Sequence, residues 1–257
     1  MNDINIDELS FQYDGNSIIN NINASIKSQD IVSIIGPNGS GKTTLLKLIA
    51  GILTPQSGNV LLSGSNIQKI PAKIKSKLIT LVPQNPEYPE NMRVFDYVML
   101  GRNPYLTAFK WENSADKKMI REIMSDTNTL KFIDRKLNEV SGGEKQRISL
   151  ALAMAQGTRS LLLDEPLSNL DISNQAVIMQ LIVKNHHERL GPTILSIHDL
   201  TIAAQYSDRV ILLDDGNLVA YGTPNSVLTQ QNINKVFNID VAILTNPNNG
   251  NLIISTN

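Results

Sequence analysis

Cysteine is absent from the 257 residues. That removes disulfide bridges, thiol nucleophiles and thiolate metal ligands, and it agrees with a reducing compartment. A charge excess is missing too: 23 Lys and Arg face 24 Asp and Glu, so the electropositive footprint of sequence-independent nucleic-acid binding is lacking and no nucleic-acid partner is expected. Long apolar runs are missing as well. The longest, such as Leu150 to Ala155, reach about six residues, whereas a spanning helix takes roughly 18 or more. Any service to a membrane is therefore expected from outside the bilayer. The start, Met1-Asn2-Asp3-Ile4, is acidic and lacks the basic and apolar segments of a secretory signal, which points to the cytoplasm. No long internal repeat occurs, and the many Asn residues are dispersed rather than forming a low-complexity tract. What is present is globular material, 41% hydrophobic and 18% charged, enough for one large core or two small ones.

The apolar pattern predicts strands over residues 4 to 35. Ile4, Ile6, Leu9 and Phe11 lead to a turn at Asp14-Gly15, then come Ile18 to Ile26 and the short buried run Ile31 to Ile35. That run enters Gly36-Pro37-Asn38-Gly39-Ser40-Gly41-Lys42-Thr43, after which Thr44 to Ala50 read as a helix stopped at Gly51. Further buried strands are expected at Leu78 to Val82, Leu161 to Asp164, Thr193 to Ile197 and Arg209 to Leu213, separated in part by helical stretches. The core is thus an α/β domain. Val94 to Leu100, Ala115 to Thr127 and Gly143 to Gln156 have helical composition, so residues 86–157 read as an inserted helical subdomain between core segments 1–85 and 158–235. The tail, 236–257, predicts a hairpin of Val241 to Leu244 with Leu252 to Ser255 around Asn246 to Gly250, preceded by a short helix. His186 and His187 fall in a polar helical stretch and read as solvated.

Gly36-x-x-x-x-Gly41-Lys42-Thr43, between strand and helix, is a phosphate-binding loop pattern. Its glycines let backbone N–H groups turn inward on a polyphosphate at the positive end of a helix. Lys42 would reach the β- and γ-phosphates, and the Thr43 hydroxyl would ligate Mg²⁺. Leu161-Leu162-Leu163-Asp164-Glu165 ends a buried strand in two carboxylates, at the strand end where α/β sheets present ligand groups. Asp164 would hold Mg²⁺ through water, and Glu165 would orient or deprotonate the attacking water. Ser141-x-x-Glu144 is a helix capping box whose two glycines leave N–H donors exposed at a helix start.

Ser141-Gly142-Gly143-Glu144 resembles the signature motif of the ABC transporter ATPase family, and the resemblance covers nearly the whole chain. Tyr13, Gln84, Ser168-Asn169-Leu170-Asp171 and His198 follow the family's order around the phosphate loop and the acidic pair. The resemblance implies a P-loop NTPase (RecA-like) core with an antiparallel β subdomain and an inserted helical signature subdomain, hydrolysing ATP with Mg²⁺. The ATP-binding residues it implies are Tyr13, stacking on adenine, with Gly36, Pro37, Asn38, Gly39, Ser40, Gly41, Lys42, Thr43 and Thr44 on the phosphates. Glu165, His198, Gln84 and Lys42 are the implied catalytic group, and Thr43, Gln84 and Asp164 the implied Mg²⁺ ligands. It further implies a homodimer in which Ser141, Gly142 and Gly143 contact the partner's nucleotide and Ser168 to Asp171 line the interface. Val140 and Glu144 depart from the family's commoner Leu and Gln, which leaves Glu144 without a role unless its carboxylate turns back on the cap.

Arg93 to Tyr105, Ser196 to Thr201 and Gly222-Thr223-Pro224 resemble the ATPases of iron-chelate importers, those for siderophores, haem and cobalamin. This implies a peripheral subunit on the cytoplasmic side of the cell membrane, a permease partner contacted by Tyr88 to Arg102, and an extracytoplasmic substrate-binding protein. Molybdate and manganese or zinc transporters share much of these stretches. A soluble ABC ATPase of DNA repair or ribosomes would bring a coiled-coil insertion or two fused units, and a small-molecule kinase would not need Ser141 to Gly143 or His198.

Overall fold

The spacing of apolar residues in the first strand breaks from two to three between Ile6 and Leu9, and the backbone absorbs the break as a bulge. In the computed structural model, Glu8 adopts φ 47° and the register with the neighbouring strand shifts between Ile6 and Leu9. Ile4, Ile6, Leu9 and Phe11 therefore all face the core. The structure describes residues 2–106, 114–247 and 250–256, so Met1, Asn248 and Asn249 of the sequence reading lie outside the described residues.

In chain order, β1 (Ile4–Tyr13) and β2 (Asn16–Ile26) precede the fully buried β3 (Ile31–Ile35) and α1 (Lys42–Ile49). Then come β4 (Ser57–Leu62), β5 (Ser65–Asn66), α2 (Ala72–Lys75) and β6 (Ile79–Val82). The helices α3 (Val94–Met99), α4 (Ser114–Asp126) and α5 (Gly142–Gln156) lead to β7 (Ser160–Leu163), α6 (Ile172–His187), β8 (Thr193–Ser196) and α7 (Leu200–Tyr206). The chain finishes with β9 (Arg209–Asp214), β10 (Asn217–Gly222), α8 (Pro224–Val227), α9 (Gln230–Phe237), β11 (Val241–Thr245) and β12 (Leu252–Thr256).

Ten strands form one sheet in the order β5-β4-β1-β2-β10-β9-β3-β8-β7-β6. The neighbours from β9 to β6 pair in parallel, while β1, β2, β4 and β5 pair antiparallel at the other end. The parallel half needs no polar face, which is why β3, β7 and β8 are buried along their whole length. Its strands point the same way, so Gly36, Gln84, Asp164 and Ser196 emerge at one edge, the crevice where open α/β sheets hold ligands. Helices α3, α4 and α5 share a separate apolar cluster that includes Val94, Val98, Ile120, Met124 and Ile148. The tail hairpin pairs Val241 with Thr256, and β12 reaches α7 through Thr201 Oγ1, which accepts from Ile254 N (3.1 Å) and donates to Ile254 O (3.2 Å).

His186 corrects the sequence reading: only 6% exposed, it lies under α6 with Nδ1 3.0 Å from Thr193 Oγ1 and Nε2 3.0 Å from the Gln29 carbonyl. It falls four and eight residues after the buried Ile182 and Ile178, on the same helix face. His187 is exposed.

Burial pushes the His186 pKa below its ordinary value, against the smaller upward pull of the Gln29 carbonyl. A histidine whose folded pKa is lowered contributes stability that is complete above its unfolded pKa of about 6.5 and falls as pH drops through that value. His186→Ala should therefore cost about 1–3 kcal/mol in urea unfolding at neutral pH. The gap to the native protein should narrow as pH falls below 6.5, whereas a solvated His186 would give a small, pH-independent change.

Candidate functional site

Two glycines set the phosphate loop. Gly39 and Gly41 adopt φ 82° and 97°, which L side chains rarely reach, and a Cβ on Gly36 would meet the Leu213 carbonyl oxygen at 2.3 Å. The loop therefore curls tightly against the sheet, with Gly41 at the N-terminus of α1. Lys42 folds back beneath it, 6% exposed, and donates from Nζ to the Gly36 carbonyl (2.8 Å) and the Pro37 carbonyl (2.9 Å). Burial lowers the Lys42 pKa, and the carboxylates of Glu165 and Asp164 oppose that shift. Ser40 is 2% exposed, and its hydroxyl finds no partner among the described residues.

Asp164 is 4% exposed, and its Oδ1 accepts from Thr43 Oγ1 (3.1 Å) and Ser196 Oγ (2.8 Å). The next residue, Glu165, takes the left-handed backbone at φ 48° and donates its N–H to Ser196 Oγ (2.7 Å). Its side chain, 14% exposed, is held from two sides: Gln84 Nε2 donates to Oε2, and His198 Nε2 stands 2.7 Å from Oε1. Tyr13, Asn38, Gly39, Gly41, Lys42, Thr43, Thr44 and Glu165 line one open cleft. Tyr13 at its edge is 42% exposed and packs edge-on against Phe11, leaving a ring face available for stacking.

Thr43 Oγ1 and Asp164 Oδ1 are two hard oxygen donors side by side at the mouth of the loop. That set suits Mg²⁺, which takes few protein ligands and completes its shell with phosphate and water. Gln84 points its amide nitrogen at Glu165, which leaves its carbonyl oxygen as the free donor.

Ser141 to Gly143 do not line this cleft. Ser141 caps α5, with Glu144 N donating to Ser141 Oγ (3.4 Å) and Ser141 N donating to Glu144 Oε2 (2.8 Å). The Ser141 N–H holds the Glu144 carboxyl below its ordinary pKa. Glu144 is thus turned back on the cap, and the exposed Gly142 lines a different cleft with Gln84, Tyr88, Lys145 and Ser168. Ser168 Oγ donates to the Glu165 carbonyl (3.0 Å), which ties the next loop to the backbone that carries the carboxylate. Asp171 caps α6, accepting from Asn174 N (2.8 Å) and Ser173 Oγ (2.7 Å), and Arg147 on the signature helix donates to Asn174 (3.0 Å).

Residues 19–168 match the family model described as ABC transporter. The chain belongs to the ABC transporter family. It is an ATPase of that family, coupling ATP hydrolysis to transmembrane transport, with the P-loop NTPase core that the sequence resemblance implied. It is 36% identical over 247 residues to the iron(3+)-hydroxamate import ATP-binding protein FhuC of Bacillus subtilis, covering 96% of this chain and 92% of that one. It is also 36% identical over 241 residues to the petrobactin import ATP-binding protein FpuC of Bacillus anthracis, covering 93% and 88%. Among solved structures, an inward-facing metal-chelate type ABC transporter superposes with a TM-score of 0.85 at 24% identity over 99% of this chain and 96% of its counterpart, which shows the shared fold.

Ser196 is the functional residue that the sequence reading left out. Its signal is a hydroxyl closing the otherwise apolar run Ile194-Leu195, on the strand that leads to His198. Ser196→Ala would leave Glu165 N–H unpaired and remove one donor from Asp164. Turnover of MgATP should fall on the order of ten- to a hundredfold, with nucleotide affinity nearly unchanged. A drop in affinity with the turnover number unchanged would separate Ser196 from the placement of Glu165.

Proposed function

We propose that this chain binds MgATP between its own phosphate loop and the signature segment of a second copy, and that Glu165 drives hydrolysis to energise uptake of an iron siderophore. The observation that carries this reading is the division of the machinery. Glu165, Gln84, His198, Lys42 and Asp164 converge at the loop, while the capped helix start at Ser141 opens elsewhere on the same chain.

Tyr13 stacks on adenine, and the N–H groups of Asn38 to Thr44 with Lys42 hold the phosphates. Thr43, Asp164 and Gln84 would hold a magnesium ion, whose charge, when bound, neutralises the β- and γ-oxygens. Glu165 takes a proton from water as the water oxygen attacks the γ-phosphorus and the β–γ bridging oxygen leaves with ADP. Gln84 and His198 fix the carboxylate for that task. The Ser141 hydroxyl and the Gly143 N–H of the second chain are presented to the γ-phosphate, and Ser168 to Asp171 join the two sites.

Among the described residues, no helix is long and apolar enough to cross a membrane. Coupling therefore runs through a permease, docked on Tyr88 to Arg102 from the cytoplasmic side. Tyr88 hydroxyl bonds Ser149 on the signature helix (2.8 Å), and the loop that carries it begins at Gln84. This links the reacting phosphate to the docking surface through one short path. The siderophore as cargo is supported by the import proteins FhuC and FpuC, and an extracytoplasmic binding protein would deliver it.

Two inactive variants test the shared site. Lys42→Ala should lose nucleotide binding, and Ser141→Ala should bind MgATP but not turn it over. Mixing them in equal amounts creates dimers with one intact composite site, which should restore turnover to about a quarter of the native rate. Mixed dimers that form without restored turnover would contradict the shared assignment.

A further inference from the structure

Residues 31–86 hold six lysines and no Asp, Glu or Arg, which leaves 17 of the 23 basic residues against all 24 acidic ones for the rest of the chain. Lys42 is committed to the phosphate loop. The other five are gathered by the fold. Lys75 Nζ donates to the Gly51 carbonyl (2.7 Å), and Ile52 N donates to the Lys47 carbonyl (2.9 Å), so α2 lies over the end of α1. A Cβ on Gly51 would meet Ile67 and Lys75 at 2.8 Å, which brings the segment carrying Lys69 to the same place. Lys73 shares α2, and Lys77 follows it.

Among the described residues, none of these five lysines pairs with a carboxylate. Lys69 and Lys73 are exposed. Ile52 and Ile74 stand among them, 63% and 53% exposed.

We propose that this surface binds the anionic phospholipid headgroups of the membrane that houses the permease. The proposal rests on the reading of this chain as a permease-docked subunit. Continuity with the docking surface gives the patch its direction. The Lys77 ammonium and the Arg102 guanidinium lie over the Tyr105 ring, 4.8 and 4.1 Å from its centre, and Arg102 ends the segment assigned to the permease. A subunit held there keeps the flanking lysines within reach of the leaflet. Lysine is a compact point charge on a flexible stem, which fits a fluid array of headgroups, whereas planar bidentate recognition would call for arginine. Ile52 and Ile74 add the apolar contact that interfacial surfaces place beside basic groups.

The test is co-sedimentation of the full chain, without permease, with phosphatidylcholine vesicles made with and without phosphatidylglycerol. Binding should require phosphatidylglycerol, weaken with salt, and fall by about fivefold for each lysine neutralised. Lys69→Glu/Lys73→Glu should lose at least about 25-fold in vesicle affinity while keeping MgATP binding. Lys118→Glu/Lys235→Glu, with the same change in net charge, should stay within about twofold. Lys69→Gln/Lys73→Gln repeats the measurement without charge reversal and should show the smaller loss. Equal binding to neutral vesicles, an unchanged Lys69/Lys73 variant, or an equal loss in the Lys118/Lys235 variant would overturn the proposal. So would lysine-dependent RNA binding without vesicle binding. Co-purification of the native chain with its membrane permease in detergent reports on the docked reading independently of these vesicles.

Discussion

A carboxylate removed from water is costly unless donors meet it, and Asp164 is met by two hydroxyls from different elements. Thr43 comes from the first turn of α1 and Ser196 from the end of β8, so one oxygen atom ties the phosphate loop, β7 and β8 together. Ser196 extends the tie by accepting the Glu165 N–H, which makes a chain of bonds from Glu165 through Ser196 to Asp164. Glu165 sits in a left-handed conformation that costs an L residue about 1–2 kcal/mol, and this bond holds it there. The strained backbone turns the carboxylate out of the sheet towards Gln84 and His198 instead of into the core.

That arrangement separates two tasks between adjacent carboxylates. Asp164, buried and bonded, suits the fixed charge that the proposed cation needs, whereas Glu165 keeps the exposure that its proposed contact with water needs. Lys42 stands between burial, which disfavours its charge, and the two carboxylates, which favour it. A polyphosphate would add further negative charge beside it. The helix that begins at Ser141 follows a different logic: its cap is completed by its own Glu144, which leaves the Ser141 hydroxyl and the glycine N–H groups as the donors available to the proposed second chain. Arg147 to Asn174 to Asp171 links that helix to α6, and Ser168 links the same loop to Glu165. In the proposed dimer, a displacement at the helix start would have a bonded route to the Glu165 backbone of the same chain.

The parts legible in the sequence are those whose chemistry is contiguous. Gly36 to Thr43 needs consecutive backbone N–H groups, Asp164 and Glu165 close one apolar strand, and Ser141 with Glu144 is a local cap, so each is written within a few residues. The buried strands β3, β6, β7, β8 and β9 were likewise readable as apolar runs, within a residue or two at their ends. Ser196 was not, because its role depends on β8 lying beside β7, a tertiary fact with no local spacing. The short β4 and the partly exposed β10 carry their apolar residues consecutively, at Val60 to Leu62 and Leu218 to Tyr221, so neither shows the alternation of a half-buried strand. His186 was misread from the polarity of its neighbours, although its spacing from Ile178 and Ile182 places it on the buried face. The bulge at Glu8 was not read either, although the apolar spacing steps from two to three between Ile6 and Leu9.

The central claim is that one chain carries half of each ATP site, and light scattering on Glu165→Gln tests it most directly. The amide preserves shape while removing the charge proposed to activate water. With saturating MgATP this variant should double in mass and hold ATP unhydrolysed, and adding Lys42→Ala to it should abolish both effects. A Glu165→Gln protein that saturates with MgATP yet remains monomeric as concentration is raised would contradict the account.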